Sequence, residues 1–307
     1  PLGGTEQSWC KAVPIGTGIT VLALLLSKQP DTVALETALR SLQNYHPTLR
    51  SRLRFDPTLY AFSFVTPSSP YILLQQFDLS STASILAAGD GDGDSAGEKF
   101  LVILEHELNR NDWSPAPESD EEMFFASLYA ISESYSALVL RLHTAVCDRA
   151  SAVAVLRELM GLVSGEGVEA AEEVGLGVEE MVPSGKGNKP FWARGVDVLG
   201  YSLNSFRLAN LDFVDAASPR RSRVLRLQLG RDDTHGLLAA CESRGIKLCG
   251  ALAAAGFIAV RSTKDLPTDR TEKHALVTLI DCRPLLEPAL SSNHLGFYHS
   301  AIMNSHD

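Results

Sequence analysis

His143-Thr-Ala-Val-Cys-Asp148-Arg149 is the stretch in which residue types and spacing suggest a reaction. An imidazole with a carboxylate close by has the ingredients of a general base, and a positioned base of this kind raises a rate by about 10² to 10⁴. A structural reading stands beside it, because a lone His ending an apolar strand is commonly a satisfied core residue. Asp148 has two rival roles. It can cap the helix that follows, which a carboxylate does well, or it can hold the strand–helix corner through a buried Arg pair.

Other motifs fail on spacing. Asp90, Asp92 and Asp94 imitate the start of a calcium loop, but its sixth and twelfth positions carry Ser95 and Leu101 instead of Gly and a bidentate acid. Ser184-Gly-Lys-Gly-Asn-Lys lacks Walker spacing. No G-x-G-x-x-G follows a strand, and neither a G-x-S-x-G elbow nor an H-E-x-x-H helix occurs. His46, His106, His235, His274, His294, His299 and His306 have no partner at ligand spacing. No metal site is expected, and no tightly bound cofactor.

The elements that must position His143 and Asp148 can be read from periodicity. Glu122 to Ile131 and Tyr135 to His143 form a hairpin around Ser132-Glu-Ser. In the second strand Leu138, Leu140 and Leu142 share one face, and Val139, Arg141 and His143 the other. A helix starts between Asp148 and Ser151, with Ala152, Val155, Leu156, Leu159 and Val163 as its apolar stripe. Upstream, Ile19–Lys28 is a buried strand. A helix capped by Asp31 carries Leu35, Ala38, Leu39 and Leu42 and stops near Pro47. Strands are expected at 59–66 and 71–79, a surface loop at 80–98 and a helix at 100–108. Residues 165–189 read as an acidic, flexible linker and 191–210 as a helix. A strand follows at 223–229, then helices at 232–243 and 248–262, and core strands at 275–281 and 295–303. No repeat recurs. Strands and helices mix irregularly, which predicts a layered α/β (α+β) fold and argues against a doubly wound nucleotide fold.

The 307 residues, 45% hydrophobic and 21% charged, have globular composition and allow about two domains. The most apolar run, Ile19 to Leu26, is far short of the roughly 20 residues of a spanning helix, and no secretory signal is visible. A net charge of −10 argues against nucleic acid or an anionic membrane as partner. Arg220, Arg221, Arg223 and Arg226 read as a solvated segment. Five scattered cysteines without a C-x-x-C are expected as free thiols in a reducing compartment, the cytoplasm.

Taken in order, several pieces resemble a known superfamily. They are the helix ending Tyr45-His-Pro-Thr-Leu-Arg, the helix with Glu107-Leu-Asn-Arg, and His143-x-x-x-x-Asp148. Ile246-Lys-Leu-Cys-Gly-Ala, Asp281-Cys-Arg283-Pro and Asn293-His-Leu-Gly296 follow. The sequence is similar to the condensation-domain and CoA-dependent acyltransferase superfamily, which includes chloramphenicol acetyltransferase and the BAHD acyltransferases. The resemblance implies a mixed sheet with flanking helices. It implies acyl transfer from a CoA or carrier-protein thioester to a hydroxyl or amine acceptor. In the family motif H-H-x-x-x-D-G the second His is the base, facing a tunnel between two subdomains, and the Asp pairs with an Arg, here Arg283. This sequence departs from the motif. His143 matches the first His, Thr144 stands at the catalytic position, and Arg149 replaces the Gly. His143 is therefore a candidate base only if a bend re-aims it. The alternative is a catalytically inactive relative acting as a binding module. No D-F-G-W-G-like segment occurs. The expected organisation is an N-terminal subdomain at 1–164, the linker at 165–189, and a crossover helix with the start of a second subdomain at 190–307. The remaining half, or another chain, is then an expected partner.

Overall fold

The computed structural model describes residues 2–89, 93–166, 174–185, 208–209, 217, 221–264 and 272–306. Contacts divide the chain into two units. One comprises Pro1–Ser184, Arg221–Val224 and Asp281–His299, and the other Gly185–Arg220, Leu225–Ile280 and Ser300–Asp307.

In the first unit, α1 (Gly4–Ala12) precedes the edge strand β1 (Ile19–Leu26). The Asp31 carboxylate accepts from the N–H groups of Val33 and Ala34 at 2.9 and 3.1 Å and so starts α2 (Thr32–Tyr45). Such a cap is worth about 1 kcal/mol. Leu35, Ala38, Leu39 and Leu42 carry the apolar stripe of α2 into the core. A short helix, α3 (Pro47–Arg50), leads to β2 (Arg52–Asp56) and β3 (Ala61–Val65). Then come β4 (Leu74–Phe77), α4 (Leu79–Ala88), α5 (Ala96–Asn109) and β5 (Glu121–Glu122). The hairpin β6 (Phe124–Ala130) and β7 (Ser136–His143) runs into α6 (Arg149–Val163).

The main sheet has the order β1-β7-β6-β4, antiparallel except where β4 joins β6. A smaller sheet runs β3-β2-β5. Leu138, Leu140 and Leu142 of β7 pack into one cluster with side chains of α2 and α6. Ala137 and Val139, on the opposite face, pack with Ile103 of α5 and Ile85 and Leu86 of α4. With helices on both faces, every residue of β7 is buried. The cost of burying Arg141 is met by ion pairs: its Nε donates to Glu107 at 2.9 Å and its Nη2 to Asp112 at 2.5 Å. Tyr129 Oη donates to the other Glu107 oxygen at 2.6 Å. The result is the layered α/β arrangement expected from the sequence.

Several local expectations are corrected or refined. Most of residues 80–98 is helical rather than a loop, in 80–88 and again from 96. The Ser/Thr-rich stretch forms α4 because Asp78 caps it, accepting from the Ser81 N–H at 2.7 Å, and because Ile85 and Leu86 find an apolar cluster. α5 begins at a Ser95/Glu98 capping box; residues 90–92 lie outside the described residues. Within 165–189, the described part is exposed at Leu176, Glu179, Glu180 and Val182, but it is tied down at two points: Met181 is buried against Leu286 and Tyr298, and Glu179 accepts from the N–H and hydroxyl of Thr5. Residues 223–229 make no strand. Among the described residues no strand lies beside them, and Leu225 and Leu227 are exposed.

The second unit holds α7 (Arg231–Ser243) and α8 (Leu248–Ser262), joined through Gly245 at φ 64°. β8 (His274–Asp281) and β9 (His299–His306) form a two-stranded sheet. The Phe257 ring lies 5.8 Å from that of His274 and 5.6 Å from that of His306. β8 is a strand but not a core strand, since Val277 and Leu279 are 58% and 62% exposed. β9 starts later than expected: residues 295–298 are irregular and buried. The helix expected at 191–210 lies outside the described residues, apart from 208–209. Among the described residues no single helix is long and apolar enough to cross a membrane.

Candidate functional site

The corner between β7 and α6 is made by a single 3-10 turn, Thr144–Val146. β7 delivers His143 to this corner with its backbone still extended, and the side chain turns inward. The imidazole has no exposed surface. Its Nδ1 accepts from the Ala145 N–H at 3.1 Å, and Trp113 meets the ring edge-on at 5.3 Å. A nitrogen that accepts carries the lone pair, so the proton of the neutral ring sits on Nε2. That atom is buried and has no hydrogen-bond partner. Burial pushes the imidazole down to about 3. Both ring nitrogens of His143 therefore face backbone and core, and the strand's last residue keeps its extended backbone.

Thr144 is nearly buried. Its hydroxyl donates to the Gly18 carbonyl and lies 3.1 Å from the Thr20 hydroxyl, so its only proton is already bonded. The close approach requires Gly18, which has φ +88°; a Cβ there would meet the Trp9 ring at 2.6 Å. Cys147 offers no nucleophile either. Burial, and then the Asp148 charge, push its thiol far up.

Asp148 performs both roles foreseen for it. Its Oδ1 accepts from the Ser151 N–H at 2.8 Å, which caps α6, and from Arg283 Nη2 at 3.0 Å. Its Oδ2 lies 2.9 Å from Arg283 Nη1 and accepts from the Tyr298 N–H at 2.8 Å. Burial raises the carboxyl, but the Arg283 hydrogen bonds and the two backbone donors outweigh it and hold Asp148 below the usual carboxylate range. Arg283 also donates to the His294 carbonyl, pairs with Asp281 at 3.0 Å and lies 4.9 Å from the centre of the Tyr298 ring.

The structure adds a residue to this group. His299 Nδ1 stands 2.9 Å from Asp148 Oδ2. The contact lies off the line of the ring N–H, so it is an electrostatic pairing rather than a directed hydrogen bond. His299 lines a cavity of about 280 Å³ together with Arg149, Arg157, Asp281, Ser292 and Asn293. Among the described residues no three His, Cys, Asp or Glu side chains gather as metal ligands.

No family model matches the sequence, and neither does any curated protein. Solved structures do. The first condensation domain of the calcium-dependent antibiotic synthetase, in complex with a substrate analogue, has a TM-score of 0.68 at 17% identity, over 99% of this chain and 69% of its own. Polyketide synthase associated protein 5 from Mycobacterium tuberculosis has a TM-score of 0.70 at 17% identity, over 100% of this chain and 67% of its own. The chain has the condensation-domain fold. A chain from the complex of the X-domain and OxyB of teicoplanin biosynthesis shares it, with a TM-score of 0.61 at 16% identity over 100% and 65%.

Within this condensation fold, the four residues singled out by sequence do not act as one group. Asp148 and Arg283 meet in a buried pair, whereas His143 and Thr144 turn away from the cavity into backbone and core. His299 escaped sequence reasoning because no helical or strand spacing links it to Asp148. The signal that could have found it is a histidine three residues beyond Gly296, the downstream glycine of the D-x-R segment.

Proposed function

We propose that this condensation-fold protein performs acyl transfer from a CoA or carrier-protein thioester to a hydroxyl or amine acceptor, in the cytoplasm, without His143 as its base. One observation supports the reading: in a chain with the condensation-domain fold, the Asp148–Arg283 pair and the neighbouring His299 stand beside a cavity at the head of α6. A second reading, a binding module without chemistry, is favoured by the sealed His143 ring and by the bonded Thr144 hydroxyl at the motif's catalytic position.

The test supplies acetyl-, hexanoyl- and palmitoyl-CoA with a panel of hydroxyl and amine acceptors and follows release of free thiol. Acceptor-dependent release is expected, and His143→Asn should retain it. Stabilisation of the protein by an acyl-CoA without any turnover would replace acyl transfer by the binding reading, because a ligand that binds only the folded state raises Tm by mass action. Neither turnover nor stabilisation would remove both readings.

A further inference from the structure

A second cavity, of about 490 Å³, opens at the other end of α6. Its walls come from the end of β1, the start of α2, the start of β7 and the last turns of α6. Asp148 caps the opposite end of that helix, so about 16 Å of helix separates it from Leu159 on the cavity wall. Leu35, Leu138 and Leu159 are buried on the floor, whereas Leu25, Met160 and Val163 are 38%, 46% and 47% exposed at the mouth. Among the described residues no aromatic ring lines the cavity. Aliphatic walls with an adaptable Met suit a flexible chain rather than a flat ring. The polar lining is confined to one edge, residues 27–31 between β1 and α2. Two of its side chains are already engaged: Asp31 caps α2, and Gln29 Nε2 donates to the Ser132 carbonyl at 2.8 Å. Ser136 Oγ donates to the Lys28 carbonyl at 3.3 Å and so anchors this edge. Among the described residues nothing engages the Lys28 ammonium or the Ser27 hydroxyl, and Lys28 is the one cation of the lining. Its four-carbon stem lets the ammonium meet a group at the rim.

We infer that this cavity binds a single-chain aliphatic carboxylate, a free fatty acid, with the chain in the hollow and the carboxylate at the rim beside Lys28 and Ser27. The layout carries the assignment: an aliphatic hollow with one polar edge matches an amphiphile, and the uncommitted ammonium on that edge matches an anionic head. Asp31 does not cancel this charge, because its Oδ1 is taken by two backbone N–H groups at the positive end of α2. A dry cavity of about 150 Å³ holds benzene, so 490 Å³ has room, in proportion, for a chain of up to about twenty carbons. Such a chain would also take Leu25, Met160 and Val163 out of water, which favours binding. The site is independent of the acyl-transfer reading, and no bond forms or breaks in it.

Isothermal titration of the purified protein with octanoate, decanoate and dodecanoate, each below its micelle concentration, and with decanol tests the site. Kd should fall about tenfold for every two methylenes added, since each buried methylene tightens binding about three- to fourfold. Decanoate should bind about three- to fivefold tighter than decanol, the scale of an exposed ion pair. Lys28→Gln should erase that margin and leave decanol unchanged. Ala34 lines the hollow from an exposed position on α2, so Ala34→Trp should fold and weaken dodecanoate by at least about tenfold. Should it fold poorly, Met160→Glu at the mouth sets a negative charge against the carboxylate and should weaken dodecanoate more than decanol. A folded Ala34→Trp or Met160→Glu protein that binds dodecanoate like the parent overturns the site. An affinity of the parent that ignores chain length, or no binding of any carboxylate, overturns the fatty-acid assignment. Equal affinity for decanoate and decanol overturns the role of Lys28.

Discussion

His143 is a histidine whose surroundings forbid a charge. Its ordinary value of 6.5 falls to about 3 on burial, so the folded protein declines a proton that the unfolded chain accepts. Between those two values the unfolded state binds more protons, and stability falls as pH falls. The contribution is fully present above about pH 6.5 and fades at up to about 1.4 kcal/mol per pH unit below it. His143→Asn isolates the effect, because its amide oxygen can take the Ala145 N–H in place of Nδ1. Urea unfolding at pH 7 and pH 5 should show the parent losing about 2 kcal/mol more than the variant. Equal losses would mean that the ring is charged, or reachable by water, in the folded protein.

At the scale of elements, Asp148 ties three pieces of chain together: the first turn of α6, the 3-10 turn at Arg283–Leu285 and the irregular run that ends at Tyr298. Removing one partner of a buried pair strands the other, at a cost of about 3 to 5 kcal/mol. Asp148→Ala should therefore lower the unfolding free energy by that amount in urea titrations, and Arg283→Ala should do the same. A loss below about 1 kcal/mol, the scale of an exposed pair, would contradict a buried joint. This joint was partly legible in the sequence. Asp148 advertises its capping role through the apolar stripe that follows it, and β1, α2, β6, β7 and α6 follow from periodicity because each faces a core. α4 was not legible, because Ser80, Ser81, Thr82 and Ser84 have loop-like composition while the Asp78 cap and the Ile85–Leu86 contact decide the outcome. The His299–Asp148 pairing was illegible for a different reason: it is a tertiary contact between residues far apart in sequence.

At the scale of the whole molecule, an apolar sequence does not guarantee a buried element. Ala275 to Asp281 and Leu138 to Leu142 look alike as strings of Val, Leu and Ile, yet β7 is buried along its whole length and β8 is half exposed. The difference lies in what covers them. β7 has a strand on each side and helices on both faces, whereas among the described residues β8 pairs in a sheet with β9 alone and α8 has no buried residue. Local opening costs least where few apolar contacts break, and a two-stranded sheet is marginal by itself. Amide hydrogen exchange should therefore find β1, β6 and β7 protected up to the global unfolding free energy. β8, β9 and α8 should exchange through smaller openings, at least about 2 kcal/mol below that limit. Equal protection of β7 and β8 would show that the second unit shares the cooperative unfolding of the first, and the exposure of Val277 and Leu279 would then need a covering surface in solution.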